Sequence, residues 1–361
     1  STFPTTAAIL CWAPEPSAGR RVTDGLDRGE HAGGVADGEC VDHVERVTSA
    51  APSHFPGTDM SVACDIVGSE SAAACTIPLL PERGAHAELV ARTAVLLPEV
   101  YCEVGARSWV LTDRPQLTTR RAVDTWRWDL DACEQQWGQR DVIVSVMGPW
   151  SLATALELPN GHRAVTDPGA RRDLNQALEA GVAEAVAGLS ARFGGAVQVV
   201  LEEPWVPALL QGSVPGTSDF DELAAVPQYE ISKALDALAV GPAWLDCASL
   251  ATLLQWEGPV AFDPLGLKGT AGFDAAAELL SVDKGVRLTL SVDELMGAGD
   301  DAARGVAVRV ARFVDMLGVG REVLQRIAVC AKDGRDALGL AGAIAVAREA
   351  TDMLHRDAGD L

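Results

Sequence analysis

Several short apolar runs of this sequence end on residues able to do chemistry. Glu202-Glu203 closes one, Asp246-Cys247 another, and Asp263 and Cys330 close two more, with Lys332 just beyond. Ser53-His54 precedes Phe55-Pro56, Arg114 follows Thr112-Asp113, and Gly148-Pro149-Trp150-Ser151 follows the run 141–147. Two chemistries fit these residue types. Thiolates, carboxylates and imidazole hold zinc, whose sites need three or four good donors. Carboxylates beside an imidazole also bind amines and move protons near neutrality.

Each residue has a plainer alternative. Cys247 and Cys330 fit equally as buried thiols at strand ends. Arg114 suits a substrate carboxylate or a structural ion pair. His54 suits a displaced metal ligand, a general base or a hydrogen-bonding filler. Glu202 and Glu203 point to opposite faces of one strand, so one faces any site and the other is free to fix a helix N-terminus or an arginine. Trp150, Trp205, Trp244 and Trp256 offer a flat apolar wall for a pterin-like ring, or simply core.

These residues must be positioned by regular elements, and a rhythm of eight β-prone runs supplies them. The runs are 46–51, 108–111, 141–147, 196–202, 243–247, 259–263, 286–290 and 326–330. Most are apolar throughout, as expected of strands covered on both faces. Helical spacing lies between them. The clearest example follows Asp167-Pro168, an N-cap and first-turn proline, with Leu174, Leu178, Val182, Ala185, Leu189 and Phe193 on one stripe. A second stripe runs through Val306, Val310, Phe313 and Leu317. Alternating strands and helices predict a parallel sheet, and eight repeats favour an α/β (β/α)8 TIM barrel over an open doubly wound sheet. In a barrel, the loops after the strand C-termini carry the site.

Composition limits the alternatives. A formal charge of -22 over 361 residues repels phosphate backbones, so nucleic acid is an unsuitable partner. No apolar run approaches the ~20 residues of a membrane span. The eight cysteines form no CxxC pair, which fits a reducing cytoplasm. The apolar patch near the start lacks the basic region of a signal peptide. Residues 1–45 are Gly-rich and charged, and read as an irregular N-terminal extension or cap on a barrel spanning 46–361. Within that extension, Cys40 and His43 have ligand-like spacing, but two donors do not make a site.

Six segments together resemble the cobalamin-independent methionine synthases, within the superfamily that includes uroporphyrinogen decarboxylase. They are HFPGTD at 54–59, IPLLPERG at 77–84, GPWSLATALELPNG at 148–161, DPGARRDL at 167–174, LEEPWVPALLQG at 201–212 and GLAGA at 339–343. The resemblance covers roughly residues 46 to 355, and is closest to short actinobacterial proteins that look like the catalytic barrel alone. It implies a cytoplasmic methyltransferase of methionine biosynthesis, moving a methyl group from a folate-type donor to homocysteine through a zinc-bound thiolate. The resemblance implies metal ligands at Cys247, Cys330 and Asp263, with Asp246 as a substitute for a missing histidine, while the rim positions themselves offer Glu202 and His54 for catalysis and Glu203, Ser53, Arg114, Trp150 and Ser151 for substrate contacts. Glu202 takes the place of a clamp for the acceptor's amino group.

The sequence departs from that pattern at four places. Leu245 stands where a His-x-Cys pair has its histidine, and Asp263 stands where a glutamate is usual. Glu202-Glu203-Pro204 replaces Asp-Glu-Pro, and Ser53-His54 replaces Gly-Ser. A repurposed barrel with a degenerate metal site, binding a small metabolite or a protein partner or forming a homo-oligomer, is the alternative these changes imply.

Overall fold

The computed structural model describes residues 47–71, 73–217, 221–297, 301–359 and 361. The expected extension over 1–45, with Cys40 and His43, lies outside the described residues. Among the described residues there are ten strands: β1 (Ala74–Thr76), β2 (Tyr101–Val104), β3 (Trp109–Thr112), β4 (Arg140–Met147), β5 (Leu156–Glu157), β6 (Gly194–Glu202), β7 (Ala243–Asp246), β8 (Val260–Phe262), β9 (Val286–Leu290) and β10 (Ile327–Ala331). Seven of them form one parallel sheet in the order β1-β4-β6-β7-β8-β9-β10, flanked by helices, which is a TIM-barrel-like fold. Among the described residues, no helix is long and apolar enough to cross a membrane.

Two of the eight expected strands are corrected. The run 46–51 is not a strand where it is described, from Val47 onward. Its continuation nevertheless lies between the two edge strands. Ala50 N–H donates to the Cys330 thiol of β10 at 3.3 Å, and Thr76 Oγ1 of β1 donates to the Ala51 carbonyl at 2.7 Å. Leu79 N–H then donates to the Ser53 carbonyl at 2.7 Å, and Phe55 N–H to that of Leu79 at 2.9 Å. Small side chains followed by Pro52 give an irregular stave instead of a ladder.

The run 108–111 forms β3, which belongs to a separate three-stranded sheet with β2 and β5. The barrel strand is β1, three residues of Ala-Cys-Thr just before Pro78. So short a run, with little β-branched content, carries a weak strand signal.

Alternation along each strand sorts the side chains into two environments. Val142, Val144, Val146, Val199, Leu201, Leu245, Val260, Phe262, Leu288 and Val329 pack into the main core under the helices. The intervening residues form small clusters inside the barrel, Ala50-Ala74-Ile143-Cys330 and Val47-Trp244-Ala328. The long outer helix Pro168–Phe193 starts where Asp167 accepts from Gly169 and Ala170 N–H at 2.7 and 2.9 Å. It ends at Gly194, whose φ of 66° suits glycine.

The rim around β6 is fastened by Glu203. Its carboxylate is fully buried and accepts from Trp150 N–H at 3.0 Å and Ser151 N–H at 2.8 Å, at the start of the helix Pro149–Ala155. Its own N–H donates to the Asp246 carbonyl at 2.9 Å, while Gly148 N–H donates to the Glu202 carbonyl at 2.8 Å. One residue thus fixes the ends of β4, β6 and β7, and with them the aim of Glu202. Removing the carboxylate in Glu203→Ala strands two buried N–H groups, with an expected loss of about 2–3 kcal/mol in urea unfolding. Glu203→Gln, which keeps one acceptor oxygen, is expected to lose less.

Candidate active site in the barrel mouth

Inward-facing residues of the strands and stave enclose a cavity of about 360 Å³. Strands β4, β6 and β9 each contribute two residues at spacing i, i+2, namely Ile143 and Ser145, Val200 and Glu202, and Arg287 and Thr289, and the ends of β7, β8 and β10 contribute further residues. Its polar members are Thr76, Ser145, Glu202, Asp246, Asp263, Arg287, Thr289, Lys332 and Asp333, joined by Ser53 and His54 from the stave. A second period is therefore visible inside apolar strands: Val-Arg-Leu-Thr-Leu of β9 places Arg287 and Thr289 inward and three apolar residues outward. Arg287, Thr289 and the inward position of Trp244 were not singled out from the sequence, though this alternation carries the signal.

Glu202 and Asp246 are direct register partners on adjacent parallel strands. Neighbouring strands lie only about 4.8 Å apart. Burial, then the Glu202 charge, pushes the Asp246 carboxyl up to about 7.

Ser53 Oγ donates to Glu202 Oε1 at 2.6 Å and lies 3.1 Å from His54 Nδ1. A serine has one hydroxyl proton, and Glu202 receives it. The contact with His54 is therefore a donation from Nδ1–H. His54 Nδ1 is also 4.0 Å from Glu202 Oε2, and the ring is 42% exposed. Carboxylate, hydroxyl and imidazole thus form a short relay at the mouth. Across it, Asp263 pairs with Lys332 at 2.9 Å, and that hydrogen bond leads in raising the lysine's pKa.

The expected zinc donors do not assemble. Among the described residues, no group of three or more His, Cys, Asp or Glu is arranged to hold a metal. Strand alternation gives the reason. Asp246 faces the barrel, so Leu245 and Cys247 on either side of it pack in the main core. The Cys247 thiol borders the cavity, accepts from Ser249 N–H at 3.4 Å, and is pushed up to about 12 by burial. Cys330 faces the cavity, but its sulfur accepts from Ala50 N–H and burial raises its pKa. Asp263 is committed to Lys332 and to capping Leu265 N–H at 2.8 Å. A His-x-Cys pair aimed into this barrel would fall on Trp244 and Asp246. The residues present do not fit zinc.

Three expected substrate contacts lie elsewhere. Arg114 follows β3 in the small sheet and is exposed, away from the barrel rim. Trp150 and Ser151 are buried in the helix after β4. Trp150 Nε1 donates to the Ile231 carbonyl at 3.1 Å, and Ser151 Oγ accepts from Trp205 N–H at 3.0 Å. Glu203 faces the helix layer as the rim fastener. Of the four tryptophans, Trp244 alone lines the cavity.

The sequence matches no family model, and no curated protein matches it. Among solved structures, the chain is similar to a methyltransferase from Methanosarcina mazei, with 12% identity over 85% of this chain and 94% of that chain and a TM-score of 0.45. It is also similar to a B12-independent methionine synthase from Shewanella sp. W3-18-1 in complex with selenomethionine, with 9% identity, 69% and 71% coverage and a TM-score of 0.40.

Two outcomes follow from this geometry. Purified protein is expected to carry no stoichiometric zinc by elemental analysis, and Cys247→Ser to leave its metal content unchanged. The second concerns Asp246, whose folded-state pKa lies above the unfolded value near 4. Between the two, the native state binds more protons than the unfolded state, so the contribution of Asp246 to stability falls as pH rises. Asp246→Asn is expected to be more stable than the parent by about 2 kcal/mol at pH 8, with the difference vanishing below about pH 4. Denaturant titration at both pH values measures it.

Proposed function

We propose that this chain is a methyltransferase-type barrel enzyme acting on a small amino-bearing thiol, homocysteine or a molecule of its kind. The observation that carries the reading is the convergence of the Glu202–Asp246 pair and the Glu202–Ser53–His54 relay on one cavity. The methyl-transfer class and the folate-type donor rest on the six motif segments. About 360 Å³ suits an amino-acid-sized acceptor, and a folate-type donor would lie across the mouth.

In this reading the acceptor's ammonium sits between Asp246 and the free Oε2 of Glu202, replacing the proton that Asp246 otherwise holds. Two carboxylates pushed together form a site that a cation relieves. His54 Nε2 takes the thiol proton, and the thiolate attacks the donor's methyl carbon. As the sulfur–carbon bond forms, the nitrogen–carbon bond of the donor breaks, and its electron pair stays on nitrogen. His54 then returns the proton to that nitrogen. Thiol activation is general-base chemistry here, with no step routed through a metal.

A second reading is a repurposed barrel that binds such a metabolite without transferring a group. Leu245 and the core-facing side chain of Cys247 favour it, because the thiol-activating set of the resembled family is missing.

Calorimetry of L-homocysteine binding at pH 6, in two buffers of different ionisation enthalpy, tests the shared binding mode. Roughly one proton per ligand is expected to be released as the ammonium ionises Asp246. Asp246→Asn should abolish the release, and Glu202→Gln should weaken binding by about tenfold or more. Binding without proton release, indifferent to both substitutions, would refute the reading. Methyl transfer from a methylated folate, lost in His54→Gln with binding intact, separates enzyme from binding protein.

A further inference from the structure

Arg287 stands on the inner face of β9 and is 4% exposed. Its guanidinium lies 3.8 Å from the centroid of the Trp244 ring, and Trp244 is one inward step below Asp246 on β7. Nε donates to the Thr48 carbonyl at 3.2 Å and Nη2 to Gln198 Oε1 at 3.0 Å. Both acceptors are neutral. Nη1 has no hydrogen-bond partner among the described residues, and it is not among the buried atoms cut off from solvent. Arg287 lines the cavity.

A buried cation costs several kcal/mol unless it is paired, and a guanidinium placed for structure alone normally meets a carboxylate. No described carboxylate lies within ion-pair distance of Arg287. Asp246 shares its register row through Ala261, which keeps the space between them open with a single methyl group. Ala50, also lining the cavity, adds to that space. Arg287 therefore adds a cationic donor, with Nη1 uncommitted, to the same cavity whose wall carries two acids.

We propose that Arg287 binds a carboxylate at the buried end of the ligand, so that the ligand is an amino-carboxylate and not a simple amine. This rests on the reading of Glu202 and Asp246 as the ammonium site. Carboxylate below and ammonium beside it orient the molecule, and its side chain then rises toward His54. Arg287 is a specificity-determining residue, remote from the reacting sulfur.

Three probes test it by calorimetry at neutral pH: L-homocysteine, its decarboxylated amine and its deaminated acid. Homocysteine is expected to bind the parent protein at least about tenfold more tightly than the amine. Arg287→Met should bring homocysteine down to the amine's affinity while leaving the amine unchanged, and Arg287→Lys should retain part of the difference. The deaminated acid should alter tryptophan fluorescence, with the change absent in Trp244→Phe. Should Arg287→Met fail to fold, the comparison of probes on the parent protein still decides. Equal affinity for homocysteine and amine overturns the role of Arg287 while leaving the ammonium site standing. An acid that binds through Arg287, beside an amine that does not bind, upholds Arg287 and removes the ammonium site. Binding of none of the three overturns both.

Discussion

Two carboxylates facing one another in register, Glu202 and Asp246, are the constraint around which the mouth of this barrel is arranged. At about 5 Å and an effective dielectric near 20, two negative charges repel by about 3 kcal/mol. The protein meets that repulsion in three visible ways. Ser53 donates to Glu202, burial and the Glu202 charge push the Asp246 carboxyl up to about 7, and Lys332 and Arg287 add positive charge around the acids. What remains unmet is the demand for a cation between the two acids. In the proposed reading, an ammonium bound between the acids meets that demand and ties binding to proton release.

The same two-residue period decides what the neighbouring residues mean. Glu202 and Glu203 are chemically alike, yet one faces the cavity and the other clamps a helix start from inside the core. Asp246 and Cys247 divide less sharply, with the acid inward and Cys247 packed in the apolar layer while still bordering the cavity. A conventional zinc ligand set would need the strand end rotated by one residue. Such a rotation would also expose Leu245 and bury Asp246 among aliphatic side chains, so the core itself opposes it.

Much of the fold was legible in the sequence because β4, β6, β7, β8, β9 and β10 are runs dominated by apolar residues. Their helices carry caps such as Asp167-Pro168, and stripes such as Leu174-Leu178-Val182. The first two staves were not legible. Ala74–Thr76 is three residues long with little β-branched content, whereas Trp109–Thr112 has the composition of a strand but serves a different sheet. Placing Arg114 on the rim was a consequence of that exchange. At the site, Ser53, His54, Glu202 and Asp246 could be found from their positions at the ends of runs. The inward direction of Asp246 and the outward direction of Cys247 depend on register, which motif matching does not supply. Arg287 lies in mid-strand, where a reading confined to strand ends does not look, although its alternation with Val286 and Leu288 marked it.

In the proposed reading, Asp246 holds a proton at pH 6 and gives it up to a bound ammonium. Isotope-edited infrared spectroscopy of the aspartate carboxyls, compared between the parent protein and Asp246→Asn at pH 6, reads that proton directly. A protonated-carboxyl band that is absent from the variant and disappears when L-homocysteine is added is the expected result. An Asp246 carboxylate fully ionised at pH 6, with or without the amino acid, would contradict it.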